Sequence, residues 1–234
     1  MSQPQRDVRA TLAVREALVR TRVRYLSLIR AVLRREGIAV PSGSAATFLR
    51  RLERVTIPAA QHAASAPLQA LLPPLTAAIA AADQQIAQTR AANPVAQRLS
   101  TVPGVGPVTA VAFIATLDTV NRFAHAGQVA TYLGLVPREY SSGEHQRRGA
   151  VTKAGNRRMR WLLVQAAWGV WRDRSPASAT LRAWAQALAT RRGKRVAAVA
   201  LARRLAGILD ALWRDGTEFS SQRVGRPANT QAAA

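Results

Sequence analysis

The stretch VRATLAVREALVRTRVRYLSLIRAVLRRE, residues 8–36, decides how the N-terminal part of this chain folds. A leucine or valine recurs every seventh residue, at Leu12, Val19, Leu26 and Leu33. An apolar row with this spacing is typical of a helix that packs lengthwise against another helix. Gly37 predicts the end of the helix, because glycine readily adopts the left-handed conformation that closes a helix.

A second apolar row follows after a loop and a short helix. Its members are spaced alternately by four and three residues: Leu68, Leu72, Leu75, Ile79, Ala82 and Ile86. Together the two rows predict a long, coiled-coil-like helical hairpin over residues 1–92. They leave two interpretations open, a hairpin that packs on itself and an arm that joins two subunits into a dimer.

The remainder of the chain also has helical patterns, so we expect a mostly α protein. Asn93 and Pro94 mark a boundary, after which a compact helical domain is predicted over residues 93–219. Within it, residues from Pro137 to about Gly155 are predicted to form a loop, and Asn156 is a candidate N-cap for the next helix. The five tryptophans fall mostly within helical patterns, which predicts core packing. Residues 220–234 are expected to be disordered.

Charge is the strongest signal in the composition. The 234 residues contain 34 Lys and Arg against 12 Asp and Glu, a formal net charge of +22. All but two of the basic residues are Arg, whose planar guanidinium pairs with phosphate through two hydrogen bonds. A GC-rich genome also favours Arg codons, but it does not explain the shortage of acidic residues. The charge therefore predicts binding to nucleic acid.

Several classes of protein are disfavoured by composition. The absence of cysteine excludes disulfides and thiolate metal sites, and His62, His125 and His145 do not match a zinc spacing. The N-terminal residues lack the apolar core of a signal peptide, and apolar runs such as VTAVAFIATL are too short to span a bilayer. We therefore expect a cytoplasmic protein with no membrane contact and no metal bound by its own residues.

The segment RLSTVPGVGPVTAVAFIATL, residues 98–117, joins two apolar helical stretches through two glycines. It is similar to a helix-hairpin-helix module, in which amides at the start of the second helix contact a DNA phosphate. Gly104 and Gly106 would permit the tight turn and the close approach, and Thr109 would add a hydroxyl donor. The alternative is a corner between helices that only packs.

The stretch PREYSSGEHQRRGAVTKAGNRRMR, residues 137–160, combines two serines with a dense run of positive charge. The basic residues that we consider candidates for phosphate binding are Arg138, Arg147, Arg148, Lys153, Arg157 and Arg158. Ser141 and Ser142 are either solvated turn residues or candidate nucleophiles, and this stretch alone does not distinguish the two.

Four segments in the same order resemble the C-terminal half of the IS110 family of bacterial insertion-sequence transposases. They are VPGVGPVTAVAFIATL, YLGLVPREYSSGE, GAVTKAGNRRMRWLLVQAA and KRVAAVALARRLAGILDALWRDG. Residues 8–92 resemble the coiled-coil segment that precedes this half. The resemblance covers about residues 8 to 219.

The resemblance implies a DNA recombinase that acts in transposition and uses a structured bridge RNA to choose its DNA sites. It also implies a serine that attacks a DNA phosphodiester and forms a phosphoserine link. Carried to this sequence, that serine is Ser142, the one before the glycine, with Ser141 as the alternative. A serine nucleophile needs a base that takes its proton and positive charge beside the phosphoryl oxygens. The neighbouring Arg and Lys residues would supply the positive charge.

One expected part of the family pattern does not match. The family is understood to carry an N-terminal RuvC-like domain with four acidic metal ligands, and here the acidic residues are scattered singly. We therefore expect a truncated form that binds DNA, with Mg²⁺ entering only through the missing domain. The alternative is a non-catalytic helical DNA- or RNA-binding module, or an inactive relic. We also expect a homo-oligomer formed through the helical arm.

Overall fold

The computed structural model describes residues 2–142 and 145–224; of residues 140–142, 145–148, 223 and 224 it describes the backbone alone. The chain divides into two compact units, one formed by Arg9–Ile86 and the other by Met1–Val8 with Ala87–Ala234.

The first unit contains three helices: α1 (Gln3–Arg34), α2 (Phe48–Leu52) and α3 (Ala59–Ala91). The seven-residue row of α1 is largely buried, since Leu12, Leu26 and Leu33 are each less than 5% exposed. The helix ends where predicted, because Gly37 has a φ of +72° and its N–H donates to the carbonyl of Arg34.

Helices α1 and α3 run antiparallel. Arg15, in the first half of α1, pairs with Asp83 near the end of α3, with 2.8 Å between Nε and Oδ1. Leu72, nearer the start of α3, belongs to the same buried cluster as Ile29 and Leu33 near the end of α1. Phe48 and Leu52 of α2 complete this cluster. The arm is therefore a hairpin that packs on itself, as one of the two interpretations predicted.

Helix α3 is more apolar than its sequence pattern suggested. Among the described residues it is one helix that could cross a membrane by length and composition, although a single such helix is weak evidence for a membrane protein. The expectation from short apolar runs overlooked it because its hydropathy comes from many alanines dispersed among Gln, Thr and Pro. Only 17% of its most apolar 18-residue stretch is buried.

The second unit is a helical bundle around α9 (Lys194–Asp215). Its other helices are α4 (Pro94–Leu99), α5 (Pro107–Leu117), α6 (Ala126–Tyr132), α7 (Arg157–Arg172), α8 (Ala179–Arg192) and α10 (Ser221–Val224). Helices α4, α6, α7 and α8 all contact α9, whose buried face alternates alanine with leucine, as at Ala197, Leu201 and Leu205. Alanine in these positions lets the neighbouring helices approach closely while leucine fills the space between them.

Two parts of this unit differ from the sequence-based expectation. Residues 137–155 are not a loop throughout, because strands β1 (Pro137–Ser142) and β2 (His145–Val151) pair as an antiparallel hairpin. Neither strand alternates apolar and polar residues, so the hydrophobic pattern of the sequence did not predict a strand here. Helix α10 forms the start of the segment expected to be disordered, and residues 225–234 lie outside the described chain, so for them disorder stays a prediction.

Candidate nucleic-acid interface

The β-hairpin is joined to the body of the unit at its base. The N–H of Thr152 donates to the carbonyl of Val136 over 2.9 Å, and the N–H of Lys153 donates to the carbonyl of Gly134 over 3.3 Å. These bonds extend the pairing of Pro137 with Val151 toward the end of α6. The hairpin is therefore held by backbone hydrogen bonds that do not depend on its side chains.

Two glycines make this base possible. A Cβ added at Gly134 would lie 1.9 Å from the carbonyl oxygen of Ala154, and one added at Gly155 would lie 2.0 Å from that of Tyr132. Both glycines also have positive φ, +66° and +100°. The two backbone segments consequently touch where a side chain would keep them apart.

The start of α7 is attached to the same base. Asn156 caps the helix, as its sequence position predicted, because Oδ1 accepts a hydrogen bond from the Met159 N–H over 2.9 Å. Arg160 Nη1 donates to the carbonyl of Leu133 over 3.0 Å. Burial and then the charge of Arg157 lower the pKa of the Arg160 guanidinium, which stays protonated at neutral pH. The first turn of α7 holds no acidic residue, so its positive charges add to the positive end of the helix dipole.

The cations predicted from the sequence are distributed over this base and the hairpin. Arg138, Lys153 and Arg157 are exposed, and Arg158 is half-buried. Arg147 and Arg148 lie on β2, where the register pairs them with Tyr140 and Glu139 of β1. Their side chains lie outside the described part of the structure. The fold thus brings residues from β1, β2 and the start of α7 to one region of the unit.

The two serines lie at the far end of β1. Ser141 is paired with Gln146, and Ser142, the last residue of the strand, is paired with His145. At about 3.3 Å per residue, Ser142 is about 13 Å along the strand from Arg138. The register defines the backbone positions of the two serines. Their side chains, including the hydroxyl groups, lie outside the described part of the structure.

The two-glycine turn lies elsewhere in the unit, between α4 and α5. Gly104 has a φ of +79°, and a Cβ there would lie 2.3 Å from the carbonyl oxygen of Ala166 on α7. Gly106 caps α5 in an extended conformation and has no atom within 4 Å of the position of a Cβ. Thr109 is only 7% exposed, inside the first turns of α5. Gly104 therefore has a packing role against α7, whereas Gly106 faces open space; the predicted phosphate contacts stay predictions.

The expectation that the tryptophans pack in the core is wrong for two of them. Trp161 is 56% exposed on α7 and Trp184 is 37% exposed on α8. The guanidinium of Arg204 lies over the ring of Trp184, 4.8 Å from its centroid. The spacing of four residues between Arg157 and Trp161 puts both on one helical face, but spacing alone does not show which face is exposed.

Comparison with known proteins places these features in a family context. The profile described as "Transposase IS116/IS110/IS902 family" matches residues 96–182, a range that includes the two-glycine turn, the hairpin and α7. A "Probable family 20 transposase" from Pseudomonas aeruginosa is 36% identical over 217 residues, covering 90% of this chain and 64% of the relative.

Two further relatives are named for insertion elements. "Transposase for insertion sequence element IS1111A" from Coxiella burnetii is 32% identical over 216 residues, covering 89% of this chain and 58% of the relative. "Transposase for insertion sequence element IS1328" from Yersinia enterocolitica is 32% identical over 226 residues, covering 94% and 66%. The chain thus spans roughly six tenths of the length of these curated relatives.

Proposed function

Because the chain belongs to the IS116/IS110/IS902 family of insertion-element transposases, we propose that it carries the DNA-binding and strand-transferring part of a transposase that acts on bacterial DNA. The observation that carries this proposal is the β-hairpin, which has two serines at the end of β1 and a base attached to the positively charged start of α7. The net charge of +22 supports a polyanionic substrate.

Ser142 is the proposed nucleophile, with Ser141 as the alternative. The serine oxygen would form a bond to a DNA phosphorus while one deoxyribose oxygen leaves, and the serine proton would pass to a base. The phosphoserine link keeps the energy of the broken phosphodiester, so the reverse attack by a deoxyribose hydroxyl could rejoin DNA without an external energy source. Arg and Lys residues would stabilise the charge that develops on the phosphoryl oxygens.

Two observations support Ser142 over Ser141. It is the residue that directly precedes the glycine of the family-like YSSG segment, and it is the last residue of β1. A nucleophile at the end of a hairpin can reach a phosphate without bringing the DNA against the body of the protein. The backbone hydrogen bonds that join the hairpin to the body of the unit would hold β1 in a constant orientation during the attack.

The acidic, metal-binding part expected for the family does not fit the described residues. Among them, no group of three or more His, Asp or Glu side chains could hold a metal ion. We propose that any Mg²⁺ used in the reaction is bound by a RuvC-like domain outside this sequence.

The cations at the hairpin base are expected to contact DNA phosphates. Replacing Arg157 with Gln should reduce the slope of log affinity against log salt by about 0.9, because one fewer counterion is released when duplex DNA binds. Fluorescence anisotropy titrations at a series of salt concentrations would measure the slope. Arg191→Gln, which removes an equally exposed charge near the end of α8, is the matched control. An unchanged slope in Arg157→Gln would contradict the contact.

We also propose the two partners that the family resemblance implies, a guide RNA and a second copy of the chain. A structured guide RNA would be attracted by the same cations as DNA. A second copy of the chain would pack on the arm, where α1 carries a second apolar row beside its buried one. The row comprises Val14, Leu18, Tyr25, Leu28 and Val32. Val14 and Leu28 are 59% and 45% exposed, and on α3 Leu71 is 48% exposed.

Placing charge in this row should separate the subunits. Val14→Glu together with Leu28→Glu is expected to weaken self-association by at least about tenfold, because carboxylates would be buried without partners. Sedimentation analysis across a range of protein concentrations would measure the effect. Ser27→Glu adds a charge at an exposed position of the same helix and should leave association unchanged. A wild-type protein that stays monomeric would refute this role of the arm.

A further inference from the structure

The outward face of α7 carries a row of residues that the proposed serine chemistry does not use. Steps of three or four residues along a helix keep side chains on one face. On this face they connect Arg157, Trp161, Gln165, Trp168 and Arg172. All of them are exposed except Trp168, which is half-buried. The opposite face is buried and apolar, as Leu163, Ala167 and Val170 illustrate, so the core does not need the row.

The exposure of Trp161 is the unusual feature of this face. An indole ring is among the largest apolar surfaces in a protein, and here 56% of the residue is in contact with solvent. Among the side chains that the structure describes, no arginine or aromatic ring stacks on it, in contrast to Trp184, which Arg204 covers. Trp168 is braced instead by Trp171, with 5.9 Å between ring centroids. One flat apolar surface on α7 is therefore open to a ligand.

The surroundings of Trp161 indicate what the ligand is. The sequence of α7 contains no Asp or Glu, and Arg157 and Arg172 lie at the two ends of the row. An apolar protein partner would be matched by further fully exposed apolar residues, whereas the exposed neighbours of Trp161 on this face are Arg157 and Gln165, and the apolar Val164 and Trp168 are half-buried. A flat ring between two guanidinium groups is complementary to a base attached to a phosphate backbone.

We propose that this face of α7 binds an unpaired strand of DNA, with a base stacked on Trp161 and phosphates contacting Arg157 and Arg172. The inference rests on the proposed DNA-binding function and adds the single-stranded state of the ligand. Bases in a duplex stack on each other, so their faces are not accessible to a helix surface, and only an unpaired base can cover the indole.

The row lies next to the base of the hairpin, so one DNA strand could contact both the hairpin and α7. Arg157 is the first residue of α7, two residues after Gly155, whose backbone packs against Tyr132 at the hairpin base. From Arg157 to Arg172 the helix rises about 22 Å, which accommodates several nucleotides of an extended strand. A strand held by the hairpin could therefore continue along α7.

The test compares single-stranded and duplex DNA with the whole chain. A fluorescently labelled oligodeoxythymidylate and a mixed-sequence duplex of equal length would be titrated with wild type, Trp161→Ala, Trp161→Phe and Trp184→Ala. We expect Trp161→Ala to weaken binding of the single strand by about tenfold, because stacking of one base is lost. Duplex affinity should change by less than about twofold, since it depends on phosphate contacts.

The other two variants show whether the loss of affinity comes from the aromatic ring at position 161 in particular. Trp161→Phe keeps an aromatic face and should restore most of the affinity for the single strand. Trp184→Ala removes a tryptophan whose face is already occupied by Arg204 and should bind both DNAs as wild type does. Thermal unfolding of each variant would show that the fold is intact, which is expected for Trp161 because its side chain is largely in solvent.

The outcomes distinguish this inference from the proposed function. If wild type binds neither DNA, the proposed DNA-binding function fails and this inference fails with it. If wild type binds both and Trp161→Ala binds the single strand equally well, only the α7 inference is overturned. An equal loss of affinity for single strand and duplex would also overturn it, because it would assign Trp161 to general DNA contact.

Discussion

Ser142→Ala is expected to lower the yield of covalent protein–DNA adduct by at least about a thousandfold, because the substitution removes the hydroxyl that is proposed to attack the phosphate. DNA affinity should stay within about fivefold of wild type, since the change removes one neutral hydroxyl. Ser142 is the last residue of β1. The adduct would be measured on a denaturing gel with labelled duplex DNA that carries an end of the insertion element.

Ser141→Ala is the matched control, one residue earlier on the same strand and paired with Gln146. If Ser141→Ala abolishes the adduct while Ser142→Ala does not, the nucleophile is the alternative serine and the family-based assignment is wrong. Loss of both adduct and affinity in Ser142→Ala would point to misfolding. A wild-type chain that binds DNA and forms no adduct would favour the other function considered from the sequence, a non-catalytic binding module.

Gly104→Ala is expected to destabilise the second unit by about 3 kcal/mol or more, which lowers the midpoint of thermal unfolding by about 6–12 °C. The new Cβ would lie 2.3 Å from the carbonyl oxygen of Ala166, within the backbone of α7, and φ at this residue is +79°. A backbone atom cannot move aside as the end of a flexible side chain can. The turn before α5 would have to separate from α7, and scanning calorimetry would measure the loss.

Gly106→Ala is the matched control two residues away. Gly106 has a φ of −89°, and no atom lies within 4 Å of the position of an added Cβ, so stability should change by less than about 1 kcal/mol. If the start of α5 contacts a phosphate, this variant should weaken DNA binding while the protein stays folded. Equal stability of the two alanine variants would contradict the packing role assigned to Gly104.

The sequence predicted the helical arm well because the signal was local. An apolar residue at every seventh position predicts which face of α1 is buried, and Leu12, Leu26 and Leu33 lie on that face. The same reasoning identified the end of α1 at Gly37 and the cap of α7 at Asn156, since both depend on hydrogen bonds within a few residues.

The hairpin and the exposed face of α7 were not predicted, for two different reasons. Strands β1 and β2 pair through backbone groups and carry no alternation of apolar residues, so their side chains did not reveal them. Trp161 lies in an apolar helical pattern, where the usual expectation is a buried ring. Only the packing of α7 against its neighbours decides which of its tryptophans reach solvent.

By itself, the sequence determined the helical class, the two rows of the arm, the positive charge and the family resemblance, because each depends on residue type and short-range spacing. Tertiary structure alone decided that residues 137–151 form a hairpin, that Gly104 serves the contact with α7, and that Trp161 faces solvent. These depend on which distant segments touch. Gly134 and Gly155 are 21 positions apart in the sequence numbering, yet their neighbourhoods meet within van der Waals distance, and this contact attaches the serine-bearing hairpin to the cationic start of α7.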